Sequence, residues 1–268
     1  MLGRESSGIN ASILLTNDDG VFSPGLLAIK RELEGLCEVL VVAPQREQSC
    51  IGKAITAGRV IKVERVKLSD GTVAYSVDGT PADAVLIALN KILERKPTLL
   101  VSGINLGPNL GLDDALDSGT LGAAFEAALR GVPSIAVSFC MARRGLDDKV
   151  DSEGLAVAAK VARRIVEEVL RRGFPRGVDV LSINVPQGSK LGLTPVRLTR
   201  LSTRPYRDLH VEDVEGYRIA AWGLDVYEDD EPSTDVGAVK EGAISITPIK
   251  LRLPSRRRGL EWLVQCLQ

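Results

Sequence analysis

The sequence predicts an α/β domain, a doubly wound and mostly parallel sheet flanked by helices, followed by a smaller β-rich extension. Three observations predict it. Short apolar runs alternate with longer segments of helical period, in β-α-β order. Several runs are apolar at consecutive positions, as in strands buried on both faces. After Pro186 the pattern changes to short alternating stretches between polar loops. The expected division is a core over 1–186 and an extension over 187–268 within one structural unit.

Residues 12–16 read as a short buried strand. A helix over 24–36 follows, with Leu26, Leu27, Ile29, Leu33 and Leu36 on one face and Pro24 in the first turn. EVLVVAP (38–44) is a second strand. Residues 59–66 and 73–77 alternate around an SDG turn and predict a half-exposed hairpin. Thr80 caps a helix over 80–96, with Pro81 first and Asp83 in the first turn. TLLVSG (98–103) is a third buried strand. Leu121, Ala124, Phe125, Ala128 and Leu129 form the apolar stripe of a helix over 119–131. Residues 133–139 and 178–186 are two further strands, separated by a helix that Ser152 can cap and that runs to about Arg171. In the extension, 196–202, 216–222 and 243–250 alternate.

Of 268 residues, 44% are apolar and 26% charged, enough for a sizeable core. With 34 basic and 35 acidic residues the net charge is -1, which argues against a general nucleic-acid binder. An anionic ligand must therefore be held locally. MLGRESSGIN lacks the apolar region of a signal peptide, and no run reaches the ~18–20 residues of a spanning helix, so a cytoplasmic protein away from membranes is expected. The four cysteines, Cys37, Cys50, Cys140 and Cys266, have no C-x-x-C spacing. The single His210 excludes histidine-rich metal chemistry and reads as a solvated loop residue.

In an open parallel sheet, ligands bind beyond the carboxyl ends of the strands. The first strand runs into Asn17-Asp18-Asp19-Gly20. The second leads to a loop holding Ser49, and the third to Ser102-Gly103-Ile104-Asn105, then Asn109 and Ser118-Gly119-Thr120. These are oxygen donors and close-approach glycines, an inventory that suits Mg²⁺ or Mn²⁺ beside a phosphate. Ser118 to Thr120 open a helix, whose free N–H groups attract anions. Taken singly, the Asp pair reads as an Asx turn, Asn105 as a loop brace, Ser118 or Thr120 as a cap and Cys50 as a buried small residue. Their convergence at one rim carries the functional reading.

Known phosphate motifs are absent. Gly52-Lys53 lacks the preceding glycine and following hydroxyl of a P-loop, and Gly103, Gly107 and Gly111 are spaced four apart, unlike a dinucleotide fingerprint. No cysteine has an arginine six residues on. An aspartyl-phosphate mechanism fails because Asn17 stands where its nucleophile belongs.

The segments ILLTNDDG (13–20), VVAPQREQS (41–49), VDGTPADAV (77–85), LVSGINLGPNLG (100–111), SGTLGAAFEAALRGVPSIAVS (118–138), NVP (184–186) and EGAISITP (241–248) together resemble the survival protein E (SurE) family. The resemblance spans nearly the whole chain in order. It implies a Rossmann-like core with a C-terminal extension that builds homodimers or homotetramers. It also implies a metal-dependent acid phosphatase that hydrolyses nucleoside 5′-monophosphates, with 3′-nucleotides and short polyphosphate as further substrates. The implied ligands of one divalent ion per subunit are Asp18, Asp19, Ser49 and Asn105. Departures are Ala84, where members often carry Cys, and Asp117, which adds a negative charge before Ser118. About ten residues precede the family's usual start and are expected to fray.

On this basis Asp18 and Asp19 are the expected catalytic pair, one of them acting as general base or nucleophile. Asn17, Asn109, Ser118, Gly119 and Thr120 are expected at the substrate phosphate. The rivals are a non-catalytic nucleotide-sensing module on the same fold and a group transferase on a similar core. EDDE (228–231) reads as a solvated acidic loop, with a second cation site as the alternative. RRR (256–258) reads as a surface cluster or oligomer contact, and Tyr206, Trp222 and Tyr227 as packing residues of the extension.

Overall fold

The computed structural model describes residues 11–141, 150–205, 207, 210–219, 224–252 and 261–266. In chain order the elements are β1 (Ser12–Thr16), α1 (Pro24–Leu33), β2 (Glu38–Pro44), β3 (Val63–Lys67), β4 (Val73–Val77), α2 (Pro81–Ile87) with a π-helical continuation over Ala88–Ile92, and β5 (Leu99–Leu106). Then come α3 (Gly111–Asp117), α4 (Gly119–Leu129), β6 (Ser134–Cys140), α5 (Ser152–Arg172), β7 (Val180–Pro186) and β8 (Val196–Leu198). A hairpin of β9 (His210–Asp213) and β10 (Gly216–Ile219) precedes a 3-10 turn at Leu224–Val226, α6 (Asp235–Lys240), β11 (Ile244–Ile249) and α7 (Glu261–Gln265).

Nine strands form one sheet in the order β3-β4-β2-β1-β5-β6-β7-β11-β8. From β4 to β7 every neighbouring pair is parallel, while β3 and β11 join antiparallel. Side chains alternate between two cores, as the period of two demands. Ile13 and Leu15 face a core shared with Leu26, Ile29 and Leu155, from α1 and α5. Leu14 faces the other, shared with Val85, Leu121 and Phe125, from α2 and α4. Helices therefore cover both faces, and burial on both explains the consecutive apolar runs.

The chain leaves β1 for β2 on one side, while β5, on the other, leads away to β6. The reversal lies between β1 and β5, where the loops beyond the strand ends separate and leave a crevice.

Local signals placed most boundaries, with instructive shifts. Ser23 caps α1, its Oγ accepting from Leu26 N–H. Thr80 and Asp83 form a reciprocal capping box at α2. The cap of α5 is Asp151 rather than Ser152; the Asp151 carboxylate accepts from Gly154 N–H, and Ser152 becomes the first helical residue. Helix α3 falls where the sequence reads as loop, because a seven-residue helix is too brief to show a period. In the extension only 196–198 of the stretch 196–202 is strand, and β11 continues the main sheet beside β7. His210 is exposed, on a strand rather than in a loop. Tyr206, Trp222, the 256–258 cluster and the first ten residues lie outside the described residues.

The EDDE segment is mostly ion-paired. Glu228 pairs with Arg207, Asp230 with Lys240 and Glu231 with Arg200, while Asp229 is buried against the Ser202 hydroxyl.

Candidate active site

β1 ends at Thr16, and the chain turns at once through Asn17, Asp18, Asp19 and Gly20. The turn is braced by Asn17, whose Nδ2 donates to Gly20 O at 3.0 Å and to Ser23 Oγ at 2.7 Å. Its two amide protons thus serve the loop. Gly20 has φ +101°, a left-handed geometry that favours glycine.

Asp18 is buried and gripped by the start of α4. Thr120 donates twice, from its backbone N–H to Oδ2 at 3.0 Å and from its hydroxyl to Oδ1 at 2.6 Å. Ser118 caps the same helix, accepting from Leu121 N–H. Between them Gly119 is obligatory: a Cβ there would lie 2.8 Å from Asp18 Cβ and 3.0 Å from Gln48 O. Burial pushes the Asp18 carboxyl up to about 6, against the Thr120 donors, with Glu47 adding repulsion. Asp19 is half-buried, its Oδ2 accepting from Leu106 N–H at 3.3 Å.

At β5 the pairing with β6 slips between Ser102 and Asn105, which re-aims the strand end. Asn105 Nδ2 donates to Gly107 O at 3.0 Å, which leaves the carboxamide oxygen as the atom available to a ligand. Ser49 comes from the exposed loop after β2, its Oγ donating to Glu47 Oε1 at 2.7 Å. That loop is fastened at several points. Lys53 pairs with buried Glu126 on α4, Thr56 N–H donates to Asp83, and Thr80 Oγ1 donates to Ala54 O. Gly52 packs so closely on α3 that a Cβ would meet Leu116 O at 2.6 Å.

These segments meet around a cavity of about 210 Å³. Asp18, Ser49 and Asn105 contribute to its wall, as do Asn109 and Ser118. Gly119 and Thr120 stand behind Asp18, and Asn17 lies under the turn. Asn109 is held from the far side of the sheet, its Nδ2 donating to Ser138 Oγ and its backbone making reciprocal bonds with Asn184 on β7. Leu106, Pro108 and Met141 supply an apolar flank.

Three wall or support residues, Cys50, Asp114 and Asn184, were not placed at the site by the sequence reading, whereas Asp117 was expected beside Ser118. Cys50 is exposed on the cavity, in a left-handed conformation at φ 53°, rather than buried. Asn184, Asp114 and Asp117 complete the surroundings. The tandem Asp113-Asp114 was the available signal, but without α3 nothing said which of the two faces inward.

A hard divalent cation fits this donor set. The donors are oxygens, those of Asp18, Ser49 and Asn105 on the wall with Asp19 next in the turn, and the raised pKa of Asp18 reports a buried charge that a cation would neutralise. Among the described residues no three His, Cys, Asp or Glu are arranged to hold a metal ion by themselves, so neutral oxygens such as those of Ser49 and Asn105 would have to complete the shell.

A two-sided α/β sheet with an oxygen-lined crevice at its switch point defines a class of proteins that bind and process small anionic ligands. The chain belongs to the survival protein SurE family, whose sequence profile matches residues 13–208. It is 40% identical to a 5′-nucleotidase SurE of Archaeoglobus fulgidus over 94% of this chain and 99% of that one. To the 5′-nucleotidase SurE of Methanothermobacter thermautotrophicus it is 45% identical over 75% of this chain and 76% of that protein. The crystal structure of SurE protein from Aquifex aeolicus superposes with a TM-score of 0.75 at 35% identity, covering 96% of this chain and 99% of that one.

Proposed function

We propose that the protein is a divalent-metal-dependent phosphatase that hydrolyses nucleoside 5′-monophosphates to nucleoside and phosphate. The observation that carries this reading is the meeting of Asp18, Ser49 and Asn105 with Asn109 and Ser118 at one cavity. The names of the relatives agree with it. Asp18, Asp19, Ser49 Oγ and the Asn105 carboxamide oxygen would hold one Mg²⁺ or Mn²⁺ per subunit. Once bound, that ion neutralises phosphate charge and lowers the barrier to attack by water.

The chain's own residues do the rest. Asp18 enters rigid, because Thr120 fixes both its oxygens and Gly119 lets the helix approach. Asp19, half-buried beside Asp18 and accepting from Leu106 N–H, takes the proton of the attacking water. Asn109, the Ser118 hydroxyl and the Gly119 amide orient the phosphate oxygens. Asn17 and Thr120 act one layer back, through the loop and Asp18. The same site extends to 3′-nucleotides and short polyphosphate, and the protein works in the cytoplasm as a homodimer or homotetramer.

The test is phosphate release from a panel of nucleoside monophosphates. Chelation should silence the protein and Mn²⁺ or Mg²⁺ restore it. Asp19→Asn should lower kcat by at least about 100-fold with the melting temperature retained. Full activity in that variant, or indifference to chelators, would overturn the reading. A pure nucleotide sensor would bind the panel and release no phosphate.

A further inference from the structure

One buried carboxyl at the cavity has no role in that reaction. Asp114 lies on α3, four residues before the Ser118 cap, and forms part of the cavity wall. It is only 3% exposed. Its Oδ2 accepts twice, from Leu110 N–H at 2.9 Å and from the Tyr227 hydroxyl of the extension. Its Oδ1 is buried with no hydrogen-bond partner.

Among the described residues, the charges that act on it most strongly are negative. Asp117 follows on the same helix and Asp235 comes from α6. The thiols of Cys50, from the loop after β2, and Cys140, from β6, lie close enough to feel its charge. Burial, with repulsion from Asp117 and Asp235, outweighs the Tyr227 and Leu110 donors and pushes the carboxyl up to about 7. Below neutral pH it therefore carries a proton. Oδ2 already accepts two bonds, so that proton sits on Oδ1, the unpartnered atom. A buried O–H donor at a cavity wall is incomplete until a ligand oxygen accepts from it.

We propose that Asp114 is the general acid of this site, donating its Oδ1 proton to the ester oxygen that leaves phosphorus. The assignment rests on the phosphomonoesterase reading. As water oxygen bonds to phosphorus, the phosphorus–ester oxygen bond breaks and its electron pair stays on that oxygen. The Asp114 proton transfers there, giving the neutral nucleoside hydroxyl and the Asp114 carboxylate. The proton lost by the attacking water returns through solvent to Asp114, so the cycle closes without a co-reactant. Tyr227 is a positioning residue, fixing Oδ2 and leaving Oδ1 as the oxygen without a protein partner.

The experiment compares two leaving groups in the metal-loaded full chain. A nucleoside 5′-monophosphate expels a strongly basic alkoxide, which needs a proton; p-nitrophenyl phosphate expels a stable phenolate, which does not. Asp114→Asn, nearly isosteric, should lower kcat on the nucleotide by about 10²–10⁴-fold and on p-nitrophenyl phosphate by less than about tenfold. It should also erase the alkaline fall of kcat/KM on the nucleotide. Tyr227→Phe removes a donor that lowers the Asp114 pKa, so in that variant the same fall should move to higher pH. Equal losses on both substrates, an undiminished rate on the nucleotide, or an unmoved alkaline limb in Tyr227→Phe would overturn the assignment. Wild-type protein inert on every nucleoside monophosphate would instead overturn the phosphomonoesterase reading itself. If Asp114→Asn does not fold, Tyr227→Phe decides.

Discussion

At Asp18 a single carboxylate shows how the site is set. Thr120 spends both of its donors on it, and Gly119 exists so that nothing intervenes. Gly119→Ala should therefore favour helix formation locally by up to about 1 kcal/mol yet displace Asp18, lowering metal affinity and kcat/KM by at least about tenfold. Calorimetric metal titration beside a melting curve separates the two effects; unchanged affinity would sink the argument. Acid also acts here. In metal-free protein the Asp18 carboxyl sits near 6, well above the unfolded value of about 4. The cation must displace that proton, so apparent affinity should fall about tenfold per pH unit below 6 and level off above it. Stability of the metal-free fold runs in the opposite sense. A folded-state pKa above the unfolded one means the native state holds the proton more tightly, so stability is greatest below about pH 4. It declines as pH rises to about 7, through Asp18 and then Asp114. Urea titrations of chelated protein at pH 4.5 and about 7.5 would read the slope; a rise across that window would contradict it.

Among the elements, α2 and α4 act as clamps on the loop that brings Ser49. Thr80 holds the first turn of α2 through the reciprocal bonds with Asp83 and also reaches Ala54 O at 2.6 Å. Burial alone would raise Asp83, but donors from Thr56 and Thr80 outweigh it and leave the carboxylate below its ordinary range. Thr80→Ala should cost about 1 kcal/mol of stability from the lost cap and loosen the loop. Its signature would be weaker metal binding with little change in kcat once the protein is saturated. A variant that loses stability but binds metal as before would show the loop to be held by Lys53 and Gly52 alone. Helix α3 has the subtler role. It is short and leaves Leu116 exposed, yet it places Asp114 on the cavity and gives Gly52 a wall to pack on.

For the whole molecule, apolar pattern and local signals determined the sheet and much of its edge chemistry. Continuous runs at 12–16 and 38–44 meant strands buried on both sides, and Pro24, Thr80 and Gly131 marked where helices begin or end. Parallel strands under a two-sided helical cover are enough to put Asp18, Ser49 and Asn105 at one rim, because consecutive β-α units all deliver their loops to the same edge. The brevity of α3, the slip in β5 and the reach of Tyr227 from the extension had no periodic signature. Nor could spacing tell which side-chain protons are already spent, as those of Asn17 and Thr120 are on their neighbours. What the sequence by itself determined, then, is the layered sheet, the rim and the oxygen-rich residues upon it, since these follow from period, propensity and chain order. Which oxygens face the cavity, which only brace it, and that Asp114 lies buried with one oxygen unpartnered, were decided by tertiary structure alone. Those depend on contacts between segments as much as 113 residues apart, as Asp114 and Tyr227 are.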